Sequence, residues 1–308
     1  MIPIKNYILL FAFVYTTWTS FAQDELPLEQ VNEIDKIAEI ENIELRNLLY
    51  TEINSNPTWK GLIAKNLMSI GIVDLSVEGD YKYAGINDDH MMYAASLPKI
   101  AILLAAMDAI DKGELEYTKE IKKDLRLMIS KSNNQASTRM IDRLGYEKIE
   151  AVLRSPQNMF YDEEEGGGLW VGKRYAAGGK RNPEPMKGLS HAATAKQVCR
   201  FYYQLAMGNL VSTESSEEML AILKDPALHH KFVNTLDKIA PNATVYRKSG
   251  SWKNWHADSA LVWGPKRKYI IVALIDNAFG EQIIRDLVMP VEKILKKSRS
   301  LSKGKTKK

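Results

Sequence analysis

Apolar positions at Val31, Ile34, Ile37, Ala38, Leu45, Leu48 and Leu49 recur every three or four residues. That spacing predicts an amphipathic helix from about Leu28 to Tyr50. From Met68 to Val77 the pattern turns β-rich and closes on Glu78-Gly79-Asp80, a turn signal, after which Tyr81 and Tyr83 open a second strand. Beyond Tyr93 helical spacing returns over Ser96–Ile110, Lys119–Ser130 and Gln135–Leu144, the last closed by Gly145. Ser155–Leu189 has no helical period and carries seven Gly and three Pro. A loop of that length in a compact domain is functional or mobile. Helices resume over Ala192–Met207, closed by Gly208, and continue to about Ala240. Three strands follow, Thr244–Ser249, Ala257–Trp263 and Tyr269–Ile275, with a Gly264-Pro265 turn between the last two and an apolar helix, Ile283–Leu295, at the end.

This order predicts an α+β fold. An antiparallel sheet is built from both chain ends (23–95 and 241–295) and backed by terminal helices, and an all-α subdomain (96–240) is inserted between its halves. Ligand sites favour such seams. No repeat of 20–50 residues is visible, which argues against solenoids and propellers.

Composition adds compartment and charge. The 308 residues are 45% hydrophobic and 26% charged, a globular composition. Lys5, an apolar run from Tyr7 to Val14 and Ser20-Phe21-Ala22 form a short positive start, a hydrophobic segment and a small-x-small end. Residues 1–22 are therefore expected to be a signal peptide cleaved after Ala22, giving a periplasmic or secreted protein with no stable membrane insertion. The formal charge is +4, yet seven cations lie from Lys296 onward, and without them and Lys5 the body is net acidic. Residues 296–308 read as a solvated basic tail, and no nucleic-acid partner is expected. One cysteine, Cys199, excludes an intramolecular disulfide and sits in an apolar helical run that predicts a core position. Four of the five histidines, His191, His229, His230 and His256, lack zinc-site spacing, no metal or cofactor is expected, and His256 is a candidate for the cleft rim.

Three short segments carry chemistry. Ser96-Leu97-Pro98-Lys99 opens a helix and sets serine and lysine one turn apart on one face. A lysine so placed takes the serine proton if burial lowers its pKa. Ser132-Asn133-Asn134 lies between two helices, and Lys248-Ser249-Gly250-Ser251 ends a strand. Singly, each has a plain structural reading: a cap with a surface lysine, an N-cap, a strand edge.

In this order and these settings the three resemble the signature set of the penicillin-recognising serine hydrolases, most closely the class A β-lactamase-like branch. The resemblance spans nearly the whole chain after the leader. It implies Ser96 as the acylated nucleophile, Lys99 as its proton partner and Ser132 as the proton relay to the leaving nitrogen. Asn134 would hold the substrate amide. Lys248 and Ser249 would face an anionic carboxylate, Gly250 would leave room along the strand, and the Ser96 and Ser251 N–H groups would form the oxyanion hole. The implied partner is a small β-lactam or a peptidoglycan stem peptide.

The chain also departs from that branch. The glutamate and nearby asparagine that hold the hydrolytic water there would read Glu-x-x-x-Asn, a pattern this chain lacks at the corresponding place. Glu184, in Arg181-Asn182-Pro183-Glu184-Pro185, is the nearest candidate deacylation base, but Gly188 stands where the asparagine belongs. The run Asp162–Glu165 reads as a solvated acidic face. The 36 residues from Ser96 to Ser132 suggest a trimmed wall and a wider cleft. Trp170 and Tyr175 either line that cleft or pack its loop down. The leading expectation is β-lactam hydrolysis through an acyl-enzyme at Ser96, with DD-peptidase-like or esterase-like chemistry and non-catalytic muropeptide binding as the alternatives.

Overall fold

The computed structural model describes Leu26 and residues 36–305. The expected signal peptide, residues 1–22, lies outside these residues. Lys36–Ile40 form turns, Glu41 bridges Tyr83, and α1 (Ile43–Asn54) opens only where the Asn42 side chain accepts from the Leu45 N–H at 2.9 Å. The predicted helix is therefore not continuous to Tyr50, because an asparagine cap interrupts the apolar spacing, and its part before Lys36 lies outside the described residues. A second helix, α2 (Pro57–Ala64), was not read from the pattern. Asn56 caps it, and Pro57 occupies a position where a missing N–H costs nothing.

Strands β1 (Met68–Asp74) and β2 (Lys82–Ile86) follow, then the short β3 (Met92–Tyr93). The helical block comprises α3 (Lys99–Asp111), α4 (Lys119–Ser130), α5 (Asn134–Leu144) and α6 (Tyr146–Arg154). The glycine-rich stretch is more ordered than expected. β4 (Tyr161–Asp162) pairs with β5 (Gly167–Gly168), while β6 (Trp170–Val171) pairs with β7 (His191–Ala193), which pairs with β3. Helices α7 (Ala195–Ala206), α8 (Thr213–Leu223) and α9 (Phe232–Ile239) lead to β8 (Thr244–Trp252), β9 (Trp255–Gly264) and β10 (Arg267–Asp276). The last helix, α10, runs from Gly280 to Lys305.

The main sheet has the order β2-β1-β10-β9-β8, antiparallel throughout, so both halves of the chain build it as expected. Alternation along its strands explains the two-faced core. Ile271, Ala273 and Ile275 of β10 join α1, α2, α9 and α10 in one cluster, while Ile270, Val272 and Leu274 join the helical block on the other face. Gly71 of β1 lets α7 approach: a Cβ there would lie 2.6 Å from the Cys199 Sγ. Cys199 is buried, its thiol pKa pushed well up by burial.

The basic tail needs correction. α10 continues ten residues past Leu295, Ser298 is buried, and the Arg299 guanidinium pairs with Asp74 at 3.0 Å. At least one of the tail's cations thus docks the helix onto the end of β1 rather than standing in solvent.

Candidate active site

Ser96 lies in the turn just before α3, not inside the helix, and Ala95 ahead of it adopts φ 50°. A non-glycine residue in that region is strained and persists only where packing imposes it. Ser96 is half-buried and lines a cleft between the sheet and the helical block. Its hydroxyl makes no hydrogen bond among the described residues, which leaves it open to a reacting carbonyl.

Lys99, the first residue of α3, is wholly buried. Its Nζ donates to the Ser132 carbonyl at 2.7 Å, the Asn134 Oδ1 at 2.9 Å and, more weakly, the Ser132 Oγ at 3.4 Å. Lys248, buried in β8, donates to the same Ser132 Oγ at 3.0 Å and to the Ser249 carbonyl at 2.6 Å. Two lysine amines thus meet at one hydroxyl. Ser132 itself sits at φ 52°, and the Asn133 side chain caps α5 by accepting from the Ala136 N–H. The middle residue of this motif is the cap, which frees Ser132 and Asn134 to face the lysines. Burial lowers the Lys99 pKa to about 7. Burial, then the neighbouring Lys99, holds Lys248 well below the usual lysine range.

β8 is an edge strand of the sheet, and its Gly250 abuts the turn that carries Ser96. A Cβ there would lie 2.3 Å from the Ala94 carbonyl oxygen and 2.6 Å from the Ser96 N. Gly250→Ala is expected to slow acylation of Ser96 about 10²-fold, the scale of a small misplacement of reacting groups. Adduct formation measured by intact mass, beside the thermal midpoint, checks this.

Two further groups brace this strand. The Lys231 Nζ, wholly buried, donates to the Gly250 carbonyl, the Ser251 Oγ at 2.8 Å and the Ala257 carbonyl at 3.0 Å. Arg247 forks onto Asp258 across the β8–β9 pair at 2.6 and 2.9 Å, both side chains buried. Lys231 carries no motif and was missed. Arg247 stands beside Lys248 in sequence, and strand alternation directs the two to opposite faces.

The remaining wall comes from the segment after β6. The Tyr175 ring covers Lys99, with Nζ 4.4 Å from its centroid, and stacks on His191 at 4.1 Å. Its hydroxyl donates to the Ala95 carbonyl at 3.2 Å. His191 is buried, with its Nε2 2.9 Å from the Lys173 carbonyl, and burial lowers its pKa to about 4. Tyr175 therefore does both things weighed for it: it lines the cleft and pins the loop. Trp170 is buried away from the cleft, its indole N–H donating to the Asn182 carbonyl.

Glu184 is not brought to the site. Its carboxylate is buried and accepts from the Met186 and Lys187 N–H groups, both at 2.7 Å, and from the Tyr161 hydroxyl. The two-proline segment folds the acid into its own turn, so the deacylation-base expectation is corrected. No carboxylate lines the cleft among the described residues, and His191, rather than His256, is the histidine that does. No group of His, Cys, Asp and Glu among them is placed to hold a metal, and no helix among them is long and apolar enough to cross a membrane.

The model of the β-lactamase enzyme family matches residues 59–126 and 121–290. The chain belongs to this family. It is accordingly a serine hydrolase of the β-lactamase type, and the family match covers every motif residue named above. Among solved structures, a β-lactamase from Sphaerobacter thermophilus aligns at 20% identity and TM-score 0.59, covering 77% of this chain and 97% of its own. A β-lactamase from Chitinophaga pinensis aligns at 15% identity and TM-score 0.59, covering 79% and 100%. PBP-A aligns at 17% identity and TM-score 0.61, covering 84% and 97%. These likenesses establish the shared β-lactamase-type fold. No curated protein sequence matches the chain.

Proposed function

We propose that this family member is an exported enzyme that forms an acyl-enzyme at Ser96 and releases it slowly. The observation that carries the acylation half is the meeting of Lys99, one turn after Ser96, and Lys248 at the Ser132 hydroxyl. Neutral Lys99 takes the Ser96 proton as the Oγ–carbonyl bond forms, and the Ser96 and Ser251 N–H groups face the developing oxyanion. When the amide C–N bond breaks, Ser132 protonates the leaving nitrogen and is itself reprotonated from the lysines. Such a site acylates with β-lactams.

A second observation favours the penicillin-binding, peptide-directed or ester-directed form of this chemistry over rapid β-lactam turnover. Water attack on the acyl-enzyme needs a base, and the Lys99 face that would receive one is covered by the Tyr175 ring. The acidic residue nearest in pattern, Glu184, is tied into its own turn. The leader supports export, which would bring the protein to stem-peptide substrates in the envelope.

The test is intact-mass spectrometry of the protein with benzylpenicillin, followed beside product release. A one-equivalent adduct lasting minutes or longer is expected; prompt turnover would overturn slow release, and no adduct would favour a purely binding role. Acylation is also expected to rise with pH through about 7, where Lys99 passes from protonated to neutral, and to level off above it. A rate that falls over this range would remove Lys99 as the proton acceptor.

A further inference from the structure

The open part of the cleft lies on one side of Ser96. Asn134 and Ser251 line it, whereas Ser132, Lys248 and Ser249 do not. With Asn134 facing the substrate amide, this space receives the acyl side chain rather than the leaving group. It encloses about 530 Å³ and is lined by Lys173, Arg174 and Lys253 without one Asp or Glu. In a body that carries more acid than base once its leader and tail are set aside, that bias is local.

The three cations are not equivalent. Arg174 is neutralised by Asp142 at 2.5 Å, whereas Lys173 and Lys253 have no ion-pair partner among the described residues. They come from different walls. Lys173 follows β6, its carbonyl fixed against the His191 ring at 2.9 Å, and Lys253 forms the β8–β9 turn at φ 50°. Both backbones are therefore set by the residues that build the site. Aromatic faces flank them: Tyr93 and Trp255 meet edge to face at 5.4 Å, and Trp252 is 57% exposed.

We infer that Lys173 and Lys253 form an anion subsite on the acyl side of the cleft, selecting acyl donors whose side chain bears a carboxylate beside an apolar group. The inference rests on Ser96 as the acylated residue. An exposed subsite of this kind acts through attraction that salt screens, and its contribution is moderate.

Benzylpenicillin and carbenicillin separate the two claims, because they differ by one side-chain carboxylate. Acylation rate constants would be measured by time-resolved intact mass for the natural protein and the Lys173→Gln/Lys253→Gln variant. The double change is expected to slow carbenicillin about fivefold and to leave benzylpenicillin within about twofold, as loss of two solvent-exposed charge contacts predicts. Salt at about 0.5 M should reduce the carbenicillin rate of the natural protein in the same sense. Equal rates in both proteins, or an equal fall for both compounds, would overturn the subsite while leaving Ser96 acylation standing. Failure of both compounds to acylate the natural protein would overturn both claims, and failure of carbenicillin alone would overturn the subsite only.

Discussion

Ser96→Ala is expected to show no mass adduct with benzylpenicillin at any time, with an unfolding midpoint close to that of the natural protein. The Ser96 hydroxyl makes no hydrogen bond among the described residues, so its removal strands no buried partner. Lys99→Met, with Ser96 present, should acylate about 10²–10⁴ times more slowly, the usual contribution of a positioned proton acceptor. Its companion signature is loss of the rise in rate through pH 7 that is expected of the buried amine. Labelling that persists in Ser96→Ala would place the nucleophile elsewhere. A Lys99→Met protein with an unchanged pH profile would make that lysine structural.

The second large effect concerns stability. Arg247 and Asp258 are 2% and 0% exposed and carry opposite charges across β8 and β9. Removing one partner leaves the other charged and buried, which costs about 3–5 kcal/mol. Arg247→Met alone should therefore lower the thermal midpoint by roughly 10 °C. Arg247→Met combined with Asp258→Leu should recover part of that loss, because neither member of the pair is then left buried without its partner. A single variant that melts near the natural protein would mean water reaches Asp258, and this pair would not be what holds the catalytic strand.

The fold was legible where local rules and tertiary demands coincide. Strands β8, β9 and β10 were found within a few residues, since alternation and the Gly264-Pro265 turn mark them directly. The three motifs were legible because each places its chemistry on a turn or strand end with its own sequence signature. What escaped reading depends on contacts distant in sequence. Asn42 ends one apolar rhythm and begins a helix, and only its bond to Leu45 distinguishes a cap from another polar position. The last helix runs on where Asp74, 225 residues earlier, receives Arg299. Lys231 reads as one more basic residue after two histidines, and its burial becomes visible only once Gly250, Ser251 and Ala257 converge on it. Glu184 misled for the converse reason: a carboxylate in a proline-rich loop looks available until its own turn is seen to consume it.

The close fit of Gly71 against Cys199 makes the lone thiol a gauge of motion. While the sheet and α7 remain in contact the sulfur is inaccessible, and burial keeps it from ionising. Modification by a thiol reagent must wait for that interface to part, so its rate counts openings of the layer directly beneath the catalytic block. Followed with and without an acyl group on Ser96, the same rate would report how far occupancy of the nucleophile tightens the scaffold behind it.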